Sequence, residues 1–233
     1  MNSRRKLVLM YLMTSIVMLV FARICNTAVT TLSEQSNTAR GKCVVIDPGH
    51  GGEDGGAVSC SGRPESIYNL EISRCLNDLI MLLGYKTKMI RNDDRSVYTK
   101  GETLAQKKVS DLKERVKITN ETDGAVLISI HQNYFGDNRY KGAQVFYAKT
   151  DGSEEFAKKL QTNFISKLNC GSRRQAKKSS GIYLMEQISC PGILVECGFL
   201  SNAEEEALLR TAEYQKKVSA VIAVTTSQYL SNT

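Results

Sequence analysis

The chain reads as a single α/β domain: a mostly parallel, twisted sheet of about six strands with helices on both faces. Three observations predict it. Short β-branched runs alternate with longer stretches whose apolar residues recur at helical spacing. Two of those runs end in the protein's only two histidines, His50 and His131, so polar side chains fall where open α/β sheets place their ligand crevices. The length of 233 residues and 42% apolar content suffice for one sizeable core, and no internal repeat or low-complexity tract appears.

Arg4, Arg5 and Lys6 precede an uncharged stretch, 7–22, that Arg23 closes. A basic segment followed by an apolar one is the pattern of an export signal. The stretch is short for a membrane span, which needs about 20 residues. Residues 1–25 are therefore expected to be a signal peptide or an uncleaved membrane anchor, 26–40 a polar linker, and 41–233 the folded domain, exported beyond the cytoplasmic membrane.

Within that domain, 43–47 is an apolar strand. Ser66 is expected to cap a helix whose buried face is Ile67, Leu70, Cys75, Leu76, Leu79, Ile80 and Leu83, ending at Gly84. A short strand over 86–90 and a polar loop over 91–109 follow. Leu112, Val116 and Ile118 predict a helix over 111–121, before strands at 125–130 and 143–148. Ser153 opens a helix through Phe156, Leu160, Phe164 and Leu168. Strands at 182–185 and 192–195 and closing helices over 203–230 complete the pattern.

The formal charge is +7, from 31 Lys+Arg against 24 Asp+Glu. That excess does not read as nucleic-acid binding: Trp is absent, and the densest basic cluster, 173–178, has no aromatic residue interleaved for base stacking. A solvated face, or attraction to an anionic polymer such as cell wall, fits better. Of the seven cysteines (25, 43, 60, 75, 170, 190, 197) none forms Cys-x-x-Cys, and several occupy apolar positions, so buried free thiols are expected rather than a disulfide framework.

The chemistry gathers at strand ends. In Asp47-Pro48-Gly49-His50-Gly51-Gly52, the glycines allow positive φ and close approach to whatever the ring binds. Asp47 is expected to hold the ring's second nitrogen. The other histidine stands in Ser129-Ile130-His131-Gln132-Asn133. Two neutral imidazoles and a carboxylate make the ligand set of known zinc hydrolases. Position offers Glu53, Asp54, Glu65 and Asp47 as the third ligand; Glu65, immediately before the first helix, is favoured by spacing. Glu196 follows the apolar run 192–195, where partial desolvation would raise its pKa toward neutrality. Beside a zinc ion it would take a proton from the attacking water and pass it to a leaving amine.

These segments, with Asn69-Leu70 after Glu65 and Leu194-Val195-Glu196-x-Gly198-Phe199-Leu200-Ser201-Asn202, resemble the zinc-dependent N-acetylmuramoyl-L-alanine amidases of the amidase-3 family. The resemblance runs from about residue 42 to 230. It implies that 41–233 is a zinc amidase catalytic domain cleaving the amide between muramic acid and L-alanine of the peptidoglycan stem peptide. It further implies Zn2+ on His50, Glu65 and His131, with Glu196 as the catalytic acid/base. Asp111-Leu112-x-x-Arg115-Val116-x-Ile118-x-Asn120, Gly142-Ala143-Gln144-x-Phe146-Tyr147 and Arg174-x-Ala176-Lys177 before Gly181-Ile182-Tyr183-Leu184 are similar to the spore-cortex, CwlD-type branch. That branch implies action on the spore cortex side, freeing muramic acid for the muramic-δ-lactam needed in germination.

Departures from the family pattern shape further expectations. Gln132 and Tyr134-Phe135 replace small residues, which should alter the cleft wall, and Cys197 beside Glu196 should make the site sensitive to oxidation. Division-type relatives carry an inserted helix that covers the zinc; the interval before the 192–195 strand leaves little room for one. The site is therefore expected to be open, with control by expression timing or an accessory exported protein. Two other readings share these residues: a weakly active or non-catalytic peptidoglycan-binding or regulatory protein, and a zinc carboxypeptidase acting within the stem peptide.

Overall fold

The computed structural model describes residues 13–23 and 41–232. Residues 13–23 are helical with exposed side chains. No described helix is long and apolar enough to cross a membrane. The basic segment 4–6, Cys25 and the expected linker lie outside the described residues.

From residue 41 the chain forms one compact unit. Its elements are β1 (Cys43–Pro48), α1 (Glu65–Leu82), β2 (Lys86–Met89), α2 (Leu104–Asn120), β3 (Ala125–Asn133), β4 (Gln144–Tyr147), α3 (Ser153–Lys167), β5 (Lys177–Lys178), α4 (Tyr183–Gln187), β6 (Gly192–Phe199), α5 (Ala203–Leu209) and α6 (Ala212–Leu230). The sheet runs β2-β1-β3-β6-β4-β5. Strands β2, β1, β3 and β6 are parallel, β4 is antiparallel to β6, and β5 runs parallel to β4. This is the expected class: one α/β domain with a mostly parallel six-stranded sheet.

Alternation along the strands divides the core. Val45, Leu127 and Leu194 share one face with Leu184, Met185 and Ile188 around α4, and with Val116 and Ile118 of α2. Val44, Ile46, Val126, Ile128, Ile130, Ile193 and Val195 fill the other and are fully buried. There α1 presents Tyr68, Ile72, Leu76 and Ile80, each one helical turn from the last. Helix α3 adds Phe156, Leu160 and Phe164, and α6 adds Val218 and Ile222. Phe156 stacks on Tyr229 with ring centroids 4.6 Å apart, closing the α3–α6 layer.

Four expectations are corrected. Ser66 does not cap α1: the helix starts at Glu65 after Pro64, whose fixed φ of −64° suits that position, and Ser66 is buried in the first turn. Helix α2 starts at Leu104, inside the expected loop, because Thr103 and Gln106 form a reciprocal capping box. The run 182–185 is not a strand. Gly181 turns the chain with φ +73°, and Leu184 and Met185 are then buried from the short helix α4. Its place in the sheet is taken by β5, two exposed lysines pairing with Phe146 and Tyr147. Finally β3 runs on to Asn133, so His131 lies within the strand rather than beyond it.

Candidate active site

His50 follows β1 with φ +61°, the only non-glycine residue in the left-handed region among those described. Such a conformation costs about 1–3 kcal/mol and persists only where its surroundings over-determine it. Two buried arginines do so here. Arg91 donates to the carbonyls of Pro48 at 2.8 Å, Gly49 at 3.0 Å and Ser66 at 2.9 Å. Arg115 donates to those of Pro48 at 2.9 Å and His50 at 2.7 Å. Arg115 is also paired with Asp47 and, at 2.6 Å, with Asp111.

Asp47 therefore does not hold the His50 ring, as expected from sequence. It is the buried counter-ion of Arg115 and accepts a hydrogen bond from Ser129 Oγ at 2.6 Å. Burial raises its pKa, but Arg115 and Ser129 outweigh it and the net shift is downward. The partner of His50 Nδ1 is Asp54, at 3.1 Å, which is itself 2.8 Å from the Lys108 ammonium. Burial opposes the Asp54 charge, yet hydrogen bonds from His50 and Lys108 hold its carboxyl well below the usual range.

Glu65, the first residue of α1, is 4% exposed. Its Oε1 accepts from the Gln132 N–H at 3.1 Å and Asn69 Nδ2 at 3.2 Å, and lies 3.0 Å from His131 Nδ1. Its Oε2 accepts from the Ala57 N–H at 3.0 Å and lies 3.4 Å from His50 Nε2. Burial pushes the Glu65 pKa up, but the His131 hydrogen bond and charge prevail and bring it down to about 2. The same pairing raises the His131 pKa against the effect of burial. The two imidazoles meet edge to face with centroids 5.0 Å apart. One donor atom from each of His50, Glu65 and His131 falls within a 4.8 Å span. Close packing requires glycine nearby: a Cβ on Gly49 would collide with the His131 ring, and one on Gly56 with Glu65 and His50.

Glu196 pairs across the parallel β3–β6 ladder with His131, so register alone brings the two side by side. Burial is the main cause that lifts its pKa to about 7; His131 lowers it and Glu65 adds to the rise. Its Oε2 is buried with no hydrogen-bond partner. A carboxylate in that state can accept and return a proton near neutrality. His50, His131 and Glu196 line a cavity of about 290 Å³ together with Leu112, Ile182 and Leu184. The histidine side chains keep 26% and 20% exposure, so the cavity is reachable from solvent.

The remaining candidates fall elsewhere. Glu53 is exposed and pairs with Lys107 at 2.6 Å. Cys197 lies on the opposite face of β6 from Glu196 and is 1% exposed; burial drives its thiol far above the range where a thiolate forms. An inert thiol replaces the expected oxidation-sensitive one. Gln132 is buried rather than part of the cleft wall, whereas Tyr134 and Phe135 are exposed just beyond β3. Arg174, in the basic loop, stacks 5.1 Å over Phe199 and donates to the Lys141 carbonyl. The six described cysteines are free, but only Cys197 is buried; Cys60 and Cys170 are exposed.

Sequence reasoning missed Arg91, Asp54 as the His50 partner, and the side chain of Gln132. Asp54 could have been found as an acid four residues after His50 in a glycine-rich loop. Arg91 carries no local signal.

Comparison with known proteins agrees with this geometry. Residues 44–226 match the family model described as N-acetylmuramoyl-L-alanine amidase, Amidase_3. The germination-specific N-acetylmuramoyl-L-alanine amidase of Bacillus subtilis is 38% identical over 184 residues, covering 78% of this chain and 77% of that one. The CwlD amidase of Clostridioides difficile, solved in complex with the GerS lipoprotein, superposes with a TM-score of 0.78 at 36% identity, over 82% of this chain and all of that one. An N-acetylmuramoyl-L-alanine amidase from Clostridium difficile 630 gives 0.71 at 30% identity, over 82% of this chain and 97% of its own. The chain belongs to the Amidase_3 family of N-acetylmuramoyl-L-alanine amidases and is a peptidoglycan amidase.

Proposed function

We propose that this amidase is zinc-dependent, that His50, Glu65 and His131 hold the ion, and that Glu196 is the catalytic acid/base. The observation that carries the reading is the convergence of two imidazoles and a carboxylate within 4.8 Å, beside a buried carboxylate oxygen that has no partner. The donor set fits zinc: two neutral nitrogen ligands and one oxygen ligand leave a fourth position open, as catalytic sites require. Asp54 on His50 Nδ1 supplies the outer hydrogen bond that orients a ligating imidazole.

Bound zinc supplies Lewis-acid polarisation of the scissile carbonyl and acidifies water. The protein's own groups do the rest. Glu196 Oε2 receives the proton of the attacking water, and its pKa of about 7 lets it hold that proton and return it. It then delivers the proton to the L-alanine nitrogen as the amide to the muramic lactyl group breaks. Leu112, Ile182 and Leu184 contribute apolar surface to the cavity in which that transfer takes place.

The likeness to the Bacillus subtilis germination-specific amidase and to the CwlD amidase supports a role in spore cortex, removing stem peptides so that muramic-δ-lactam can form. That role needs export across the cytoplasmic membrane, in keeping with the basic-then-apolar amino terminus, retained as an anchor or cleaved. The GerS complex of that relative supports an accessory exported protein as a partner here.

Mass spectrometry of peptidoglycan digested by the zinc-loaded protein tests the reading. Peptide-free muramic acid and free L-alanine amino termini are expected; shortened stem peptides still attached to muramic acid would instead indicate a carboxypeptidase. Glu196→Gln should lower kcat by about 10²–10⁴-fold with zinc retained. Sustained turnover by that variant would overturn the role given to Glu196.

A further inference from the structure

The Glu65 carboxylate is the hub of a hydrogen-bonded chain that reaches well past the candidate ligands. Asn69, one helical turn along α1 and fully buried, donates through Nδ2 to Glu65 Oε1 at 3.2 Å and to the Gly49 carbonyl at 3.1 Å. Both partners are acceptors only, so the orientation of the Asn69 amide is fixed and its Oδ1 must face away. That oxygen accepts from Gln132 Nε2 at 3.2 Å. Gln132 is 3% exposed, and the same residue's backbone N–H donates to Glu65 Oε1. Gln132 Oε1 is thereby left buried with no partner. A buried, unpaired amide oxygen is unfavourable, and native cores seldom keep one without a reason.

We propose that Gln132, acting through Asn69, is a positioning residue that fixes the Glu65 carboxylate in the orientation that binds the metal. Position 132 is the first residue after His131, so one short segment of β3 delivers a candidate ligand and, on the opposite face, the brace for another. The chain has a direction: amide nitrogen to amide oxygen at each step, ending on an ionised acceptor. Both of its donors, Asn69 Nδ2 and the Gln132 N–H, converge on the one oxygen Glu65 Oε1. The Gln132 side chain neighbours Cys197, so two residues that depart from the family pattern stand together in the fold.

The inference rests on the zinc reading above, and the experiment separates the two. Zinc affinity of the wild-type protein is measured first by competition with a chromophoric chelator. Failure of the wild type to bind zinc would overturn the zinc reading itself. Gln132→Met, of similar length but without the amide, should weaken zinc about tenfold, in line with other residues that orient metal ligands. The metal-free protein should melt close to the wild-type temperature, a readout that separates positioning from loss of fold. The double variant Asn69→Ala/Gln132→Met should bind zinc no more weakly than Asn69→Ala alone, since both break one chain. Gln132→Asn, which keeps the amide but falls one methylene short, serves if Gln132→Met does not fold, and it too should weaken zinc. Wild-type affinity in the folded Gln132 variants, or additive losses in the double variant, would overturn the proposal.

Discussion

The two histidines occupy one site by opposite means. His131 lies inside strand β3, where the β1–β3–β6 ladder fixes it just before the β3–β6 register shifts, and its own backbone stays out of the left-handed region. His50 stands in a left-handed turn and is held by buried guanidinium groups that fill the carbonyls around it. The strand position follows from hydrophobic pattern and register alone. The loop position requires charges drawn from α2 and the segment after β2, together with the carboxylate that neutralises one of them. Robustness is thus uneven: the His131 side is carried by the core, and the His50 side by an ion-pair network.

The largest effect that would break this contrast is expected at Arg115. Arg115→Met leaves Asp47 buried without its cation and should destabilise the fold by about 3–5 kcal/mol, read as a lower urea midpoint with unchanged slope. A loss below about 1 kcal/mol would mean that the turn holds itself. Next, Asp54→Asn weakens the hydrogen bond to His50 Nδ1 without touching His131, and zinc affinity should fall about 10–100-fold by chelator competition.

Acid should act on the same network. The folded pKa values of Asp47 and Glu65 lie below their ordinary ones, so both carboxylates contribute stability above the unfolded range of about 3.9–4.3. That contribution is lost as pH falls toward the folded values, near 2 for Glu65. The urea midpoint of the metal-free protein should therefore drop between about pH 5 and 2, and drop less in Arg115→Met. The smallest effect sharpens the contrast from the other direction. His50→Gly removes the left-handed penalty and should raise metal-free stability by about 1 kcal/mol while abolishing zinc binding.

Much of this was legible in the chain. Strands and helices announced themselves wherever the apolar spacing was long enough to choose between periods 2 and 3.6, as in α1 and β3. The run 182–185 was too short to choose, and packing of Leu184 and Met185 decided for a helix. The Thr103–Gln106 capping box was written in the sequence but hidden in a polar stretch without an apolar face. In the site, His50, His131 and Glu196 could be named because each closes an apolar run in the sequence, and Glu65 because it stands just before the first helix and matches the family pattern. The loop partners could not: the choice of Asp54 over Asp47 for the His50 ring depends on where Arg115 arrives from α2, a contact 65 residues away in sequence from His50. Lys177 and Lys178 carry no strand preference of their own, and β5 exists because Phe146 and Tyr147 offer it a partner edge.

That lysine pair has a counterpart. The opposite margin of the sheet, β2, reads Lys-Thr-Lys-Met, so among the described residues both edge strands of the sheet carry exposed lysines. A second chain approaching either margin to extend the ladder would have to bury or displace those charges. An enzyme that works on a crowded polymer is thereby guarded against strand-to-strand self-association at the two places where its fold would invite it.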